Sequence, residues 1–344
     1  GGSNDVVFTI GDAASAMDIT LAGSKSVTIK MDANDAEALK TTDSLTAGAT
    51  NLTLTGVATA AEDLDLTGVD VDVVTFAGDI VSDAVQFNDS QDITLTHGQN
   101  TPLALHQTNG NDGTVEVTLS STTSAFADVE LATDGFAELK VNAGDLTVTN
   151  LVIDADAAND ANVTVVGTND ISGTTVEGGT GNVTISADAL TLTNVTGKTI
   201  DIDGGNDVAL GNVTGNGGAV TIDAIGTDGA VSSSGTISST ASGAGNDVTI
   251  NAEILTVTTD ITADDITIDL SNDTVSSVIG GDITAANDVT ISGGNLDVTG
   301  DIVATAGDVT ISTTADVAAA NLSGDSLTIS GASKLAVGTA TTST

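Results

Sequence analysis

Residues 246–331 repeat one short phrase, and this repeat decides the fold. The phrase reads NDVTI at 246–250, DDITI at 264–268, NDVTI at 287–291, GDVTI at 307–311 and DSLTI at 325–329. The first apolar residues of successive phrases lie 18, 23, 20 and 18 residues apart. A recurrence of this length is typical of chains that stack one structural unit upon the next.

Each repeat contains three short segments with the alternation of a β-strand. Val248 and Ile250 flank Thr249, which is the pattern of a half-buried strand. The next segment begins at Leu255 and a third at Ile261. Gly, Asn and Asp separate the segments, where tight backbone turns need them. Three strands that close one coil predict an all-β fold, a parallel β-solenoid with about 20 residues per coil.

The two parts of the chain differ in composition. All five Phe and the single Pro lie within residues 1–140, and the phrases become regular after residue 141. We therefore predict a repetitive β-solenoid over 141–344. Residues 1–140 are predicted to form a β-rich region, either an irregular solenoid or a sandwich-like domain, and a candidate for packing or assembly. Small β-branched residues suit a narrow coil interior, whereas the Phe side chains suit larger apolar anchors.

Two segments need a local decision. DANDAEALK at 32–40 predicts one short helix with Asp32 or Asn34 as its cap. SSSGTISSTAS at 232–242 is either a polar linker or a weakly hydrophobic coil centred on Ile237.

Composition and charge exclude several classes of protein. The chain carries 48 acidic residues and six lysines, without arginine, for a net charge of −42. Nucleic-acid binding needs Lys and Arg on the phosphates, so we exclude it. No apolar run approaches the length of a membrane span, and none is predicted. The absence of cysteine removes disulfides and thiolate metal sites. Added salt or bound cations would reduce the repulsion among these negative charges.

Aspartates recur at one corner of the predicted coil and suggest a calcium site. Coils in register would place these carboxylates about 4.8 Å apart, a ladder that Ca²⁺ between rungs would stabilise. Alternatively, they cap turns through hydrogen bonds to the backbone. The candidate metal ligands are the corner residues Asp247, Asp265, Asp288 and Asp308, and two local clusters, Asp32, Asn34, Asp35 and Glu37, and Asp154, Asp156 and Asp160. The sequence contains neither an EF-hand loop nor tandem glycine-rich calcium repeats.

No catalytic motif points to an enzyme. The sequence lacks a nucleophile elbow, a P-loop, an H-E-x-x-H helix and a dinucleotide fingerprint. Paired aspartates could serve glycoside hydrolysis, but the chain has no Trp or Tyr as platforms for sugar rings. We predict that the protein is not an enzyme and keep a polysaccharide-active β-helix enzyme as the third alternative.

Phrases such as DVTISGG at 288–294, LTLTGV at 52–57 and LDVTGDI at 296–302 resemble bacterial or archaeal surface-layer proteins and β-solenoid surface adhesins. The resemblance implies an extracellular or cell-surface, self-associating structural protein whose assembly often needs calcium. We expect a subunit of a surface layer or filament, with other copies of itself and possible cell-surface polysaccharide as partners. The runner-up is a stalk or passenger segment of a secreted adhesin.

Overall fold

The molecule is an all-β protein of stacked parallel strands, as predicted, with turns of the solenoid roughly 20 residues apart. By its contacts the chain divides into two compact units, Gly1–Val166 and Gly167–Thr344. The computed structural model describes residues 6–10, 17–23, 26–45, 48–57, 59, 64–78, 80, 84–88, 92–97, 103–108, 114–119, 125–126, 129–134, 138–144, 147–148, 151–155, 162–167, 170–224, 226, 229–240, 245–272 and 274–342.

Strands that begin before the boundary between the units are numbered first. They are β1 Val6–Thr9, β2 Met17–Gly23, β3 Val27–Asp32, β4 Leu39–Leu45, β5 Thr50–Thr55, β6 Leu64–Leu66, β7 Val73–Phe76, β8 Ala84–Asn88, β9 Asp92–His97, β10 Leu103–Thr108, β11 Thr114–Leu119, β12 Ala125–Phe126, β13 Val129–Asp134, β14 Glu138–Gly144, β15 Thr147–Val148, β16 Leu151–Ala155 and β17 Asn162–Gly167.

The later strands all belong to the second unit. They are β18 Ile171–Glu177, β19 Val183–Ala187, β20 Leu190–Gly197, β21 Ile200–Gly204, β22 Val208–Gly215, β23 Val220–Ala224, β24 Ala230–Ser233, β25 Ile237–Ser239, β26 Val248–Ala252, β27 Ile254–Val257, β28 Ile261–Ala263, β29 Ile266–Leu270, β30 Ser276–Ile279, β31 Ile283–Ala285, β32 Val289–Gly293, β33 Asn295–Val298, β34 Ile302–Ala304, β35 Val309–Thr313, β36 Asp316–Gly324, β37 Leu327–Ser330 and β38 Lys334–Thr342.

The repeated phrase forms one sheet of the second unit, here called the phrase sheet. Its strands β19, β21, β23, β26, β29, β32, β35 and β37 pair in this order, all parallel. The register never slips, so the central isoleucine of each phrase stacks on the next. Ile222, Ile250, Ile268, Ile291 and Ile311 are each 0% exposed. This column is the core, because β-branched side chains pack well on copies of themselves.

The other two segments of each repeat close the coil as predicted. Leu255 lies in β27 and Ile261 in β28, and both are buried. In the first coils of the second unit the two segments join into one long strand, as in β20 and β22. The segment around Ile237 is a coil and not a linker. It forms β24 and β25, and Ile237 is fully buried.

The first unit is also a parallel solenoid. Strands β1, β3, β5, β7, β9, β11 and β14 pair in this order, all parallel. The sandwich alternative is therefore wrong, because a sandwich packs two antiparallel sheets. Phe76 and Phe87 act as larger anchors, with ring centroids 6.4 Å apart in an edge-to-face contact.

The predicted short helix is a 3₁₀ helix over Ala33–Ala38, and Asp32 caps it by accepting the Asn34 N–H. Among the described residues no helix is long and apolar enough to cross a membrane.

Candidate functional site

The corner aspartates Asp247, Asp265, Asp288 and Asp308 lie directly before strands of the phrase sheet, as predicted. The Oδ1 atom of Asp265 accepts the backbone N–H of Asp288 at 2.8 Å. The Oδ1 atom of Asp288 accepts the N–H of Asp308 at 2.7 Å. Asp308 repeats the contact with the N–H of Ser326 at 3.0 Å. Each carboxylate thus reaches along the stack to the same corner of the following coil.

The backbone of the same corners completes the pattern. Val248, Ile266 and Val289 donate their N–H to the carbonyls of Asp265, Asp288 and Asp308, each at 2.9 Å. Consecutive corners are therefore joined twice, once by a carbonyl and once by a carboxylate. The carboxylates act as backbone acceptors, and they join successive coils rather than closing a single turn.

Asp247 differs from the other corner aspartates in the burial of one carboxylate oxygen. Its Oδ1 atom is buried without a hydrogen-bond partner among the described residues. Burial raises the pKa of this carboxyl above its usual value, and the charges of Asp265 and Asp264 raise it further. A hydrogen bond from the Asp265 backbone works in the opposite direction. Folding is therefore less favourable with Asp247 ionised than with Asp247 protonated.

A second row of corner aspartates, Asp260, Asp282 and Asp301, makes the same contacts before the third strand of each coil. Asp260 accepts the Asp282 N–H at 2.9 Å, and Asp282 accepts the Asp301 N–H at 2.8 Å. The row was not predicted. Its signal is present in the sequence as DITA at 260–263, DITA at 282–285 and DIVA at 301–304. In both rows, the corner carboxylate accepts a backbone N–H of the following coil.

The acidic cluster of the first unit surrounds the 3₁₀ helix and is engaged locally. Asn34 donates from Nδ2 to the Val57 carbonyl at 3.0 Å, and its Oδ1 accepts the Thr59 N–H at 2.8 Å. Glu37 accepts the Asp65 N–H at 3.2 Å. These side chains fasten the helix to the neighbouring coil.

The remaining candidate metal ligands are Asp154, Asp156 and Asp160. Asp154 lies in β16, beside Ala132 of β13. Asp156 and Asp160 fall outside the described residues. Within the described part of the chain no three His, Cys, Asp or Glu side chains come together as a metal site. Calcium binding stays a prediction.

Aspartates also stand on the outer surface of the phrase sheet. Asp203 and Asp223 are direct neighbours in the register, and the Asn251 Nδ2 donates to Asp223 Oδ1 at 2.5 Å. Burial and the charges of Asp223 and Asp203 raise the pKa of Asp201. Like charges on adjacent strands oppose stacking, and Asn251 relieves this repulsion at its own coil.

A groove crosses successive coils of the second unit on the side formed by β20, β22, β24 and β27. Its volume is about 340 Å³. The groove is lined by Thr191, Leu192, Thr193, Ala209, Leu210, Gly211, Ser232, Ser233, Ser234, Thr256 and Thr258. None of these side chains is charged, so the lining offers hydroxyl groups without the carboxylate pair of a glycoside hydrolase.

No family model, no curated protein and no solved structure matches this chain. The surface-protein likeness therefore remains one of composition and phrase.

Proposed function

We propose that this protein is a structural subunit of an extracellular array or filament, built by stacking β-solenoid copies. The apolar side chains of β37 and β38 carry the proposal, because they are exposed where their neighbours in the preceding coil are buried. Leu335 in β38 is 48% exposed, whereas Val317 beside it in β36 is 1% exposed. One coil earlier, Leu296 is 2% exposed.

Strand β37 of the phrase sheet shows the same contrast with its neighbour β35. Leu327 and Ile329 of β37 are half-exposed, while their neighbours Val309 and Ile311 are fully buried. Complete burial of one such side chain contributes roughly 1.5–3 kcal/mol. Association also costs an estimated 4–15 kcal/mol in lost freedom. Apolar contact is therefore not enough by itself for association. It must act together with new backbone hydrogen bonds, which an open strand edge supplies.

The location outside the cell rests on composition. A chain without cysteine and with a net charge of −42 suits a salty exterior, and the phrase-level likeness to surface-layer proteins points the same way.

The test is the assembly state of the purified 344-residue chain in concentrated salt, measured by light scattering and electron microscopy. We expect mass to rise with protein concentration and filaments or sheets to appear. Leu335→Glu should abolish assembly, because it places a charge on this exposed apolar surface. Val278→Glu is the matched control, since Val278 is 39% exposed on a middle coil. A protein that stays monomeric at the highest concentration contradicts the proposal.

A further inference from the structure

The groove on β20, β22, β24 and β27 runs along the stack of coils in the second unit. Its volume of about 340 Å³ lies within the usual range of ligand sites. One row of lining residues consists of direct register partners on the four strands, Thr191, Ala209, Ser232 and Thr256. Strands spaced by ~4.8 Å give this row a length of about 14 Å. The groove therefore offers an elongated surface that crosses several coils.

Small residues of β22 make the groove concave. Ala209 and Gly211 stand between the larger side chains of β20 and β24. A Cβ at Gly211 would collide with the Thr193 carbonyl oxygen, so the two backbones lie close together. Ser233 fixes the floor, because it is 2% exposed and its Oγ lies 2.8 Å from the carbonyl oxygens of Gly211 and Gly235. The shape of the groove is thus built into the fold.

The groove carries hydroxyl groups that the fold does not use. Thr191, Thr193, Ser232 and Thr256 are exposed, and their hydroxyls make no hydrogen bond within the described residues. Each hydroxyl can donate one hydrogen bond and accept others. The methyl groups of the threonines and of Ala209 supply apolar surface between the hydroxyls. A matching ligand alternates hydroxyl groups with C–H surface, which is the composition of a sugar ring.

Charge and strand pairing exclude other ligands. No lining side chain is charged, and a chain with a net charge of −42 repels anions. A purely apolar ligand would leave the hydroxyls without partners. A peptide that binds as an added strand needs an open sheet edge. Strand β22 offers none, because it pairs with β20 on one side and with β24 and β25 on the other.

We propose that this groove binds an uncharged oligosaccharide, laid along the stack across β20, β22, β24 and β27. The groove binds the sugar without cleaving it, because its lining lacks the carboxylate pair of a glycoside hydrolase. Contact relies on hydroxyls and methyl groups instead of aromatic rings, so a single groove binds weakly. Many copies in an array would bind a long glycan more tightly through repeated sites. This inference goes beyond the proposed function and does not depend on self-assembly.

Native gels that contain a polysaccharide test the groove with the full-length protein. The probes are four neutral polysaccharides, namely dextran, mannan, laminarin and xyloglucan, and the acidic polysaccharide alginate. We expect at least one neutral polysaccharide to retard the protein, and alginate to have no effect. The double variant Thr191→Val and Thr256→Val keeps the side-chain shape but removes two hydroxyls. Its dissociation constant for the retarding polysaccharide should rise about tenfold, as expected for the loss of two hydrogen bonds.

Two further variants locate the site. Thr267→Val with Thr290→Val makes the same change at exposed positions of the phrase sheet, and should leave retardation unchanged. Ala209→Phe fills the groove without removing a hydroxyl, and should abolish retardation. Melting temperatures from circular dichroism show that each variant is folded.

Three results overturn the inference. They are retardation by alginate alone or by no polysaccharide, equal retardation of the natural protein and both groove variants, and an equal loss in the phrase-sheet control. A protein that stays monomeric but is retarded through the groove leaves this inference standing and contradicts only the proposed function.

Discussion

Each corner aspartate extends the hydrogen bonding of the sheet beyond the strand. Asp265, Asp288 and Asp308 accept backbone N–H groups of the following coil through side chains that are half-buried or exposed. An asparagine could make the same contact with its side-chain carbonyl, but an alanine could not. Substitutions can therefore show whether the carboxylate is needed for its charge or for its oxygen atom as a hydrogen-bond acceptor.

We expect Asp288→Ala to lower the free energy of unfolding by about 0.5–1.5 kcal/mol, because the Asp308 N–H loses its acceptor. Asp288→Asn should be neutral or slightly stabilising, because it keeps an acceptor and removes one negative charge. Urea unfolding followed by circular dichroism measures both variants. Equal destabilisation by the two substitutions would show that the charge itself matters, as a cation ligand would require.

Substitution of Asp247 should have the opposite effect on stability. Its pKa is raised in the folded protein, so ionisation at neutral pH weakens the fold, and the penalty disappears as the pH falls below the unfolded pKa of about 3.9. We expect Asp247→Asn to unfold at higher urea concentration than the natural protein at pH 7. The two midpoints should converge near pH 3.

Asp297→Asn is the control for this comparison. Its exposed carboxylate makes no hydrogen bond within the described structure, and the variant removes the same charge. A gain at pH 7 as large as that of Asp247→Asn would attribute the effect to net charge and not to the buried Oδ1 atom.

At the scale of the element, a coil stays in register because its backbone is close to the coils on either side. Gly293 ends β32 with a φ of +92°, and a Cβ placed there would lie 1.6 Å from the Leu270 carbonyl oxygen of the preceding coil. Only glycine fits a site that combines left-handed backbone with such an approach. Gly293 is therefore part of the packing between coils.

We expect Gly293→Ala to destabilise the second unit more than Gly245→Ala. Gly245 has a φ of +97°, but a Cβ added there would meet nothing within 4 Å, so its substitution carries only the backbone strain of about 1–2 kcal/mol. Gly293→Ala adds the collision with Leu270. Thermal unfolding followed by circular dichroism compares the two variants. Equal decreases in melting temperature would show that the coils can move apart at Gly293 without a loss of stability.

At the scale of the whole molecule, repulsion among the negative charges is an unfavourable contribution to stability that the solution can change. A net charge of −42 repels itself, and added salt screens that repulsion over a distance of about 10 Å at 0.1 M. The phrase sheet supplies the stabilising side, through a continuous column of buried isoleucines. Stability is thus expected to depend on the solution as well as on the contacts.

We expect the melting temperature to rise steadily with NaCl concentration. The calcium prediction adds that CaCl₂ raises it further than NaCl of equal ionic strength, and that EDTA removes the difference. Differential scanning calorimetry at matched ionic strength measures both effects. Equal melting temperatures in the two salts would contradict calcium binding and leave screening as the explanation.

Most of the second unit was predictable because its information is local. The alternation of Val248, Thr249 and Ile250 defines a strand and its phase, and the positions of Leu255 and Ile261 place the other two strands of the coil. The fold of the first unit was harder to predict, since the spacing of its strands is irregular. Parallel and antiparallel pairing of the same half-buried strands leave the same alternation in a sequence.

The sequence by itself determined the strand pattern, the repeat length and the acidic corners. Only the tertiary structure decided that Asp288 contacts the Asp308 backbone, that Asp260, Asp282 and Asp301 form a second row, and that Leu335 is uncovered. The reason is physical. Alternation acts between neighbours in the chain, whereas these contacts join residues about twenty positions apart, and the register of stacked coils determines which of them meet.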